Sequence, residues 1–473
     1  MVVGVALRLW VMTSHLGTLS ADEAYTGLQA RAILDGRLPV VIDGMTYTAV
    51  FESYLFAPFV ALFGLHVVPL KWLSTAGWLA AAGFTGAAVK RLHGQHASLV
   101  AMGMMWLAPG AMLVLTTRAY VGYSTGVAAA TATLWAIVVL VDTESTGPPP
   151  WTKTLTAGAL GGLAVYCHPM FATVVLPMLA VPAWRFRRHL RRWWLPATGG
   201  AVVVNLPFLA WNATNDWPSL EQPAEATESA LDRLQRFGTG LVPRVLGLRT
   251  GDGTWVHGQP VGLALYAGIT ALVVWGAVVA WRRNRNTAVV LVVPLLSAWP
   301  AMAGLSNLSF VADGRYGIIT FPFLVVAISV AVSDLVARRR HLPGVAVALA
   351  VWVALLTVPW VAREAGRDLG DPNAHVQRVV DTLRGEGFDR AMGTYWWVLP
   401  VDLISDGAVL TGTRGHPDVV LLPRTQAAVA TTPPERLAFV FSPDAYAPEL
   451  LPFPEDRYEQ RRVAGALVLL PRP

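Results

Sequence analysis

Two adjacent carboxylates, Asp22 and Glu23, open the stretch "LSADEAYTGLQARAILDGRLP" (19–39), the first polar break in a chain otherwise crowded with Val, Ala and Leu. Neighbouring acids can divide labour, one taking a proton from a nucleophile while the other orients it or holds a substrate hydroxyl. Further acids follow at Asp35, Asp43 and Glu52. Glu52 lies in "YTAVFESYLFAPFVALFG", where a carboxylate beside an apolar helix is costly unless it is paired or used. Cations come from later segments: Arg118 in "TTRAYVGYS", His168 in "YCHPMF" and Arg315 in "ADGRYGIITFPF". Arginine at a membrane surface suits a lipid-linked phosphate, because its planar fork makes charge-assisted and often bidentate hydrogen bonds. Each group also has a plainer reading: Asp22 as a helix N-cap, Glu52 as a snorkelling or capping acid, the arginines as headgroup anchors. Tyr25, Tyr47, Tyr123 and Tyr316 neighbour these groups in sequence and are the candidate substrate-binding aromatics.

The elements that must position these residues are apolar. Of 473 residues, 54% are hydrophobic and only 14% charged, and the mean hydropathy is +0.48. Apolar runs recur near bilayer-crossing length, so the chain reads as an α-helical polytopic membrane protein. Candidate spans cover 1–16, 54–89, 97–117, 122–141, 154–167, 170–184, 194–211, 261–281, 287–304, 316–334 and 343–361. The 54–89 run is too long for one helix and should divide at "LFGLHVVP" into a surface helix and a span. The segments 154–167 and 170–184 should form a hairpin turning at His168–Pro169.

Lys and Arg set the expected topology. Alternate loops hold "KRLHGQH" (90–96), Lys153, "RFRRHLRR" (185–192), "RRNR" (282–285) and "RRRH" (338–341), together 14 Lys/Arg. The positive-inside rule makes that side cytoplasmic, giving about eleven spans with the amino end inside and the tail outside. Asp22, Glu23, Glu52, Arg118, His168 and Arg315 then belong to the outer face. The opening "MVVGVALRLWVMTSHLG" lacks a charged n-region and a small-residue cleavage site, so no cleaved signal peptide is expected. The single cysteine, Cys167, rules out an internal disulfide framework.

Residues 1–361 carry 24 Lys/Arg against 15 Asp/Glu, whereas 362–473 carry 12 Arg and 15 Asp/Glu. That shift divides a transmembrane module (1–361) from a small extracytoplasmic α/β domain (362–473). In the latter, "HVQRVVDTLRGEGF" has helical spacing, and "RAMGTYWWVL", "DVVLL", "LAFVF" and "GALVLL" read as strands. The basic residues sit in short clusters between spans, which excludes a nucleic-acid partner. "DEAYTGLQARAILDGR" has an amphipathic helical pattern, with Ala24, Leu28 and Ile33–Leu34 toward the membrane and Glu23, Arg31 and Asp35 toward water. No P-loop, HExxH, paired CxxC or dinucleotide fingerprint is present.

The order of features resembles the GT-C class of integral membrane glycosyltransferases, nearest the bacterial branch of protein O-mannosyltransferase and lipid A aminoarabinose transferase relatives. The residues that carry it are a first span bearing Arg8, "ADEAYTGLQARAILDG", "FESYLFAPFVALFG", "RAYVGYSTG", "WNATNDWPSL", "GRYGIITFPFL" and a tail bearing "GTYWWVLPVDLISD". The resemblance implies a glycosyltransferase moving a sugar from a polyprenyl-phosphate carrier to an extracytoplasmic glycan, lipid or protein acceptor. It implies Asp22 as general base, with Glu23 and Glu52 orienting it or binding acceptor hydroxyls. The lysine that faces phosphate in aminoarabinose transferases has no clear counterpart, so Arg118, Arg315 and His168 are the candidates for the donor phosphate. The chemistry agrees: displacing a lipid phosphate needs a base for the acceptor proton and positive charge for the leaving group. A divalent cation could share that load, but two adjacent acids do not by themselves make a metal site. The alternative is a transporter or flippase of lipid-linked intermediates. Such proteins show repeats or charges at span centres, which this chain avoids except near Lys71.

Overall fold

The computed structural model describes residues 1–142, 147–221, 228–304, 314–337, 343–366, 369–415 and 422–472. The basic stretch at 338–341 and the "DVVLL" run lie at least partly outside them. The chain forms two compact units: Met1–Val11, Ser74–Thr117 and Gly122–Arg367 make a transmembrane unit, and Met12–Leu73, Arg118–Val121 and Asp368–Pro473 make a loop-and-tail unit.

Among the described residues of the transmembrane unit, five helices are long and apolar enough to cross a membrane: Tyr123–Val141, Arg187–Thr214, Gln259–Arg283, Arg285–Gly304 and Pro343–Glu364. The chain is an integral membrane protein. Shorter apolar helices include Val2–Thr13, Pro169–Arg185 and Phe321–Val336. The expected hairpin is present, with His168 in extended conformation between Trp151–Cys167 and the turn Pro169–Phe171. The 97–117 run is broken into Gln95–Trp106 and Gly110–Leu115, because Pro109 cannot continue the first helix. Small residues bring helices together where lipid offers no hydrophobic drive to do so. A Cβ on Gly158 would stand 1.9 Å from the Ala197 carbonyl oxygen, and one on Gly200 would stand 2.2 Å from that of Leu155.

The loop-and-tail unit begins with the helix Ala21–Leu34, a short hairpin of β1 (Val41–Ile42) and β2 (Met45–Ala49), and the helix Phe51–Phe63. That helix ends at Gly64 and Val67–His93 follows, so the 54–89 run divides where its sequence suggests. The tail supplies the helix Ala374–Gly385, β3 (Arg390–Gly393), the helix Tyr395–Ile404, β4 (Leu410–Thr413), β5 (Ala438–Phe441), β6 (Tyr458–Val463) and β7 (Ala466–Pro471). Its sheet has the order β4-β3-β5-β7-β6. β3 pairs in parallel with β4 and β5, and β7 pairs antiparallel with β5 and β6. Helices bridge the parallel pairs, as such connections require.

Two expectations need correction. "RAMGTYWWVL" is half strand and half helix: the chain leaves β3 at Gly393, and Thr394 precedes the helix Tyr395–Ile404. The first-loop helix departs from its expected orientation at Glu23, which is buried, while Asp35 at its far end is exposed. Its core partners include Phe56, Val60, Leu65, Tyr395, Leu399 and Leu403, and Ala24, Tyr25 and Leu28 are buried among them. Gly27 lets the tail helix close on it, since a Cβ there would stand 2.6 Å from Leu403 Cδ1. Glycine in a helix costs about 0.5–1 kcal/mol relative to alanine, a cost offset here by that packing.

Candidate active site

The first-loop helix starts with "SADE", and its cap is Ser20 rather than Asp22. Ser20 Oγ accepts from the Glu23 N–H at 3.3 Å, and Glu23 Oε2 accepts from the Ser20 N–H at 3.1 Å. This reciprocal capping box satisfies two orphan donors of the first turn. Asp22 is thereby released from capping.

Glu23 is fully buried. Its Oε1 accepts from Lys71 Nζ at 2.9 Å and from the Ala119 N–H at 3.3 Å. Its Oε2 accepts from Arg118 Nη1 at 2.6 Å. Burial alone would raise this carboxyl, but the Lys71 and Arg118 charges and their hydrogen bonds outweigh it and hold the group at about 2. Both oxygens are engaged by cations, backbone and cap, so Glu23 is an ionised anchor. Arg118 is equally committed: Nη2 donates to the Leu16 carbonyl at 2.8 Å, and Nη1 also donates to that of Thr18. Thr26 Oγ1 donates to the Ala119 carbonyl at 2.8 Å, fastening the Arg118–Val121 turn to the same helix.

Asp22 has a different environment. Tyr395, from the tail helix and only 5% exposed, donates its phenol to Asp22 Oδ1 at 2.5 Å. Nine residues further along the first-loop helix, Arg31 Nη2 donates to the buried Asp402 Oδ1 at 2.8 Å. Asp402 Oδ2 accepts from the Thr411 N–H at 3.2 Å. Burial pushes the Asp402 carboxyl up, while Arg31 pulls it down. These two attachments align the tail helix along the first-loop helix and deliver Tyr395 to Asp22. At the tail's entry, the Leu19 N–H donates to Asn373 Oδ1 at 2.8 Å.

The remaining candidates divide between the units. Tyr47 is on β2, where burial and then the Asp22 charge push its phenol up. Tyr25 is buried in the core, and burial, with the nearby Asp43 charge, raises its phenol too. Glu52 is 3% exposed in the first turn of Phe51–Phe63. In the transmembrane unit, Tyr123 packs its ring on His168 with centroids 5.5 Å apart. His168 Nδ1 accepts from the Met170 N–H at 3.2 Å, which puts the proton of a neutral ring on Nε2. Burial first, then the charge of Arg315, push this imidazolium down to about 4. His168 is therefore neutral at pH 7. Arg315 and Tyr316 lie in the turn Arg315–Ile319.

Sequence reasoning missed Tyr395, Lys71, Arg31 and Asp402. A lone lysine in an apolar helix was a signal, since such a group needs a buried partner. Ser20 was readable as well, from the S-x-x-E pattern. Among the described residues, no group of three or more His, Cys, Asp or Glu could hold a metal ion.

No family model and no curated protein matches the sequence. Solved structures do. The crystal structure of ArnT from Cupriavidus metallidurans in the apo state is similar with a TM-score of 0.67 at 15% identity, over 99% of this chain and 96% of that one. The same protein bound to undecaprenyl phosphate gives 0.65 at 14% identity, over 99% and 97%. The archaeal oligosaccharyltransferase AglB from Archaeoglobus fulgidus, in complex with an inhibitory peptide and a dolichol-phosphate, gives 0.52 at 13% identity, over 100% and 74%. At such low identities the likeness establishes the fold, which is that of the GT-C class.

Proposed function

We propose that this GT-C-fold chain is a glycosyltransferase that moves a hexosyl or pentosyl group from a polyprenyl-phosphate donor to an extracytoplasmic glycan, lipid or protein acceptor. Asp22 takes the proton of the acceptor hydroxyl as its oxygen attacks the anomeric carbon. The carbon–oxygen bond to the phosphate breaks on the opposite face, and the polyprenyl phosphate leaves with the bonding electrons. The product has inverted configuration. The observation that carries this reading is the 2.5 Å hydrogen bond from Tyr395 to Asp22. Asp22 already receives an O–H donor, the bond an acceptor hydroxyl must make to a base. Its neighbour Glu23 is spent on Lys71, Arg118, Ala119 and Ser20.

Glu23 then acts as a positioning residue, and Glu52 orients acceptor hydroxyls. Arg118 contributes its charge from a fixed place. Arg315 and the Nε2–H of His168, on turns of the transmembrane unit, are the candidates for the lipid phosphate. Tyr47 and Tyr395 are the aromatic candidates for contact with substrate at Asp22. The fold supports this reading, because ArnT and AglB have been captured with undecaprenyl phosphate and a dolichol-phosphate. The proposed location is a bacterial plasma membrane, and the Lys/Arg distribution supports an orientation with the tail and Asp22 on the extracytoplasmic side.

The test is turnover of candidate polyprenyl-phosphate sugars by the purified full chain. Asp22→Asn keeps an acceptor for Tyr395 and should preserve thermal unfolding while cutting turnover by about 10²–10⁴-fold. A folded Asp22→Asn protein with undiminished turnover removes Asp22 from the role of base.

A further inference from the structure

At the opposite end of the transmembrane unit from its external turns, as the Lys/Arg rule orders them, a cavity of about 510 Å³ opens between two helices. Its rim carries Arg185 and Arg187, where the helix Ala172–Arg185 ends, and Arg285 and Asn286, where the helix Arg285–Gly304 begins. Away from those helix ends the lining is apolar, with Val181 on the first helix and Val293 on the second. The Trp184 ring lies 5.1 Å from the Arg187 guanidinium, and the Trp281 ring 5.9 Å from that of Arg285. Arg187 Nη1 also donates to the Trp184 carbonyl at 3.5 Å, and a guanidinium has five N–H donors in all, suited to planar recognition of a phosphate.

Positive charge in these loops is expected from topology alone, but topology does not ask for a cavity. Nor does it ask for the absence of acids. Residues 177–192 contain five arginines and 281–296 contain three, with no Asp or Glu in either stretch. The amino end of the 20-residue helix Arg285–Gly304 adds its own positive field. Three guanidiniums above an apolar slot match a ligand that is anionic at one end and hydrocarbon at the other. Basic pockets between helices on the cytoplasmic side are a recognised form of phospholipid-head-group site.

We propose that this cavity binds the phosphate of an anionic membrane phospholipid, with an acyl chain in the apolar slot. The apolar depth commits the site to a lipid-borne phosphate over a free one. The proposal does not depend on the transferase reading, since neither cavity helix contributes to Asp22.

The test is native mass spectrometry of the full chain in detergent with phosphatidic acid, phosphatidylcholine or inorganic phosphate as probes. Phosphatidic acid should be retained and phosphatidylcholine lost. Arg187→Gln/Arg285→Gln should lower retention of phosphatidic acid by about tenfold or more, the effect of losing charge-assisted hydrogen bonds. Arg188→Gln/Arg191→Gln removes equal charge from residues that do not line the cavity and should leave retention unchanged. Val293→Trp fills the slot with the arginines intact and should also release the lipid. Equal retention of phosphatidylcholine, equal loss in the Arg188/Arg191 control, undiminished retention in Val293→Trp, or displacement by equimolar inorganic phosphate would each overturn the proposal. The slot variant decides the matter even if the double arginine variant fails to fold.

Discussion

At Glu23, two cations are buried against one carboxylate; at the rim formed by Arg185, Arg187 and Arg285, three guanidiniums gather where the adjoining sequence holds no acid. The first arrangement is closed electrostatically. Every oxygen of Glu23 is engaged, and nothing is left to recognise a ligand. The second gathers its charge from two stretches that contain no Asp or Glu. Arginine identity alone therefore says little about function. What distinguishes the two regions is that at Glu23 the counter-charge is in place, at 2.6 and 2.9 Å from its cations. One residue away, Asp22 has a partner of another kind, a phenol from the tail.

The closed character of the Glu23 centre can be broken directly. Glu23→Gln strands Lys71 and Arg118 without their anion, and removing one partner of a buried ion pair costs about 3–5 kcal/mol. Thermal unfolding in detergent should reveal that loss, and the added Lys71→Gln change should recover part of it. Acid should imitate the variant. The folded carboxyl sits at about 2, below its ordinary value of 4.5, so its contribution is complete above pH 4.5 and disappears as pH falls toward 2. A wild-type acid-unfolding curve that matches that of Glu23→Gln would refute this account.

Tyr395→Phe is the next largest change. It deletes a hydrogen bond to a carboxylate, worth about 1.5–3 kcal/mol in stability. If Tyr395 positions Asp22, kcat should fall while acceptor KM changes little, and a Tyr395→Phe enzyme altered only in stability would reduce Tyr395 to packing. The smallest effect belongs to the surface. Arg461 donates to Glu386 and Glu459 at 2.6 Å, all three exposed or nearly so. Arg461→Gln should leave thermal unfolding and turnover essentially unchanged, because exposed ion pairs are screened by solvent, which sets the baseline against which the buried centre is judged.

Local patterns account for what could be read from the sequence. The first-loop helix, the division at Gly64, the hairpin at His168 and the α/β character of the tail all follow from spacing, Pro and Gly over a few residues. Asp22 and Glu23 stood out because charge is rare in this chain. Their different fates were not legible, since those depend on Lys71, Arg118 and Tyr395, which come from distant segments. Tyr395 was hidden further by its surroundings: aromatic and β-branched residues around it favour a strand, and contacts with Ala24, Leu28 and their neighbours override that preference. The orientation of Glu23 failed for a related reason. Amphipathic spacing assumes water on the polar side, and at Glu23 that place is taken by cations.

The bond between Tyr395 and Asp22 also has a temporal meaning. The two residues are 373 positions apart, and ribosomes extend chains at about 5–20 residues per second. Asp22 is thus synthesised about 20–75 s before its tyrosine exists. Arg31 likewise waits for Asp402, from the same late segment. A nascent or prematurely terminated chain can possess every apolar span and still lack the partner of its principal carboxylate. Asp22 therefore cannot reach the environment it has in the mature protein until synthesis has passed Tyr395.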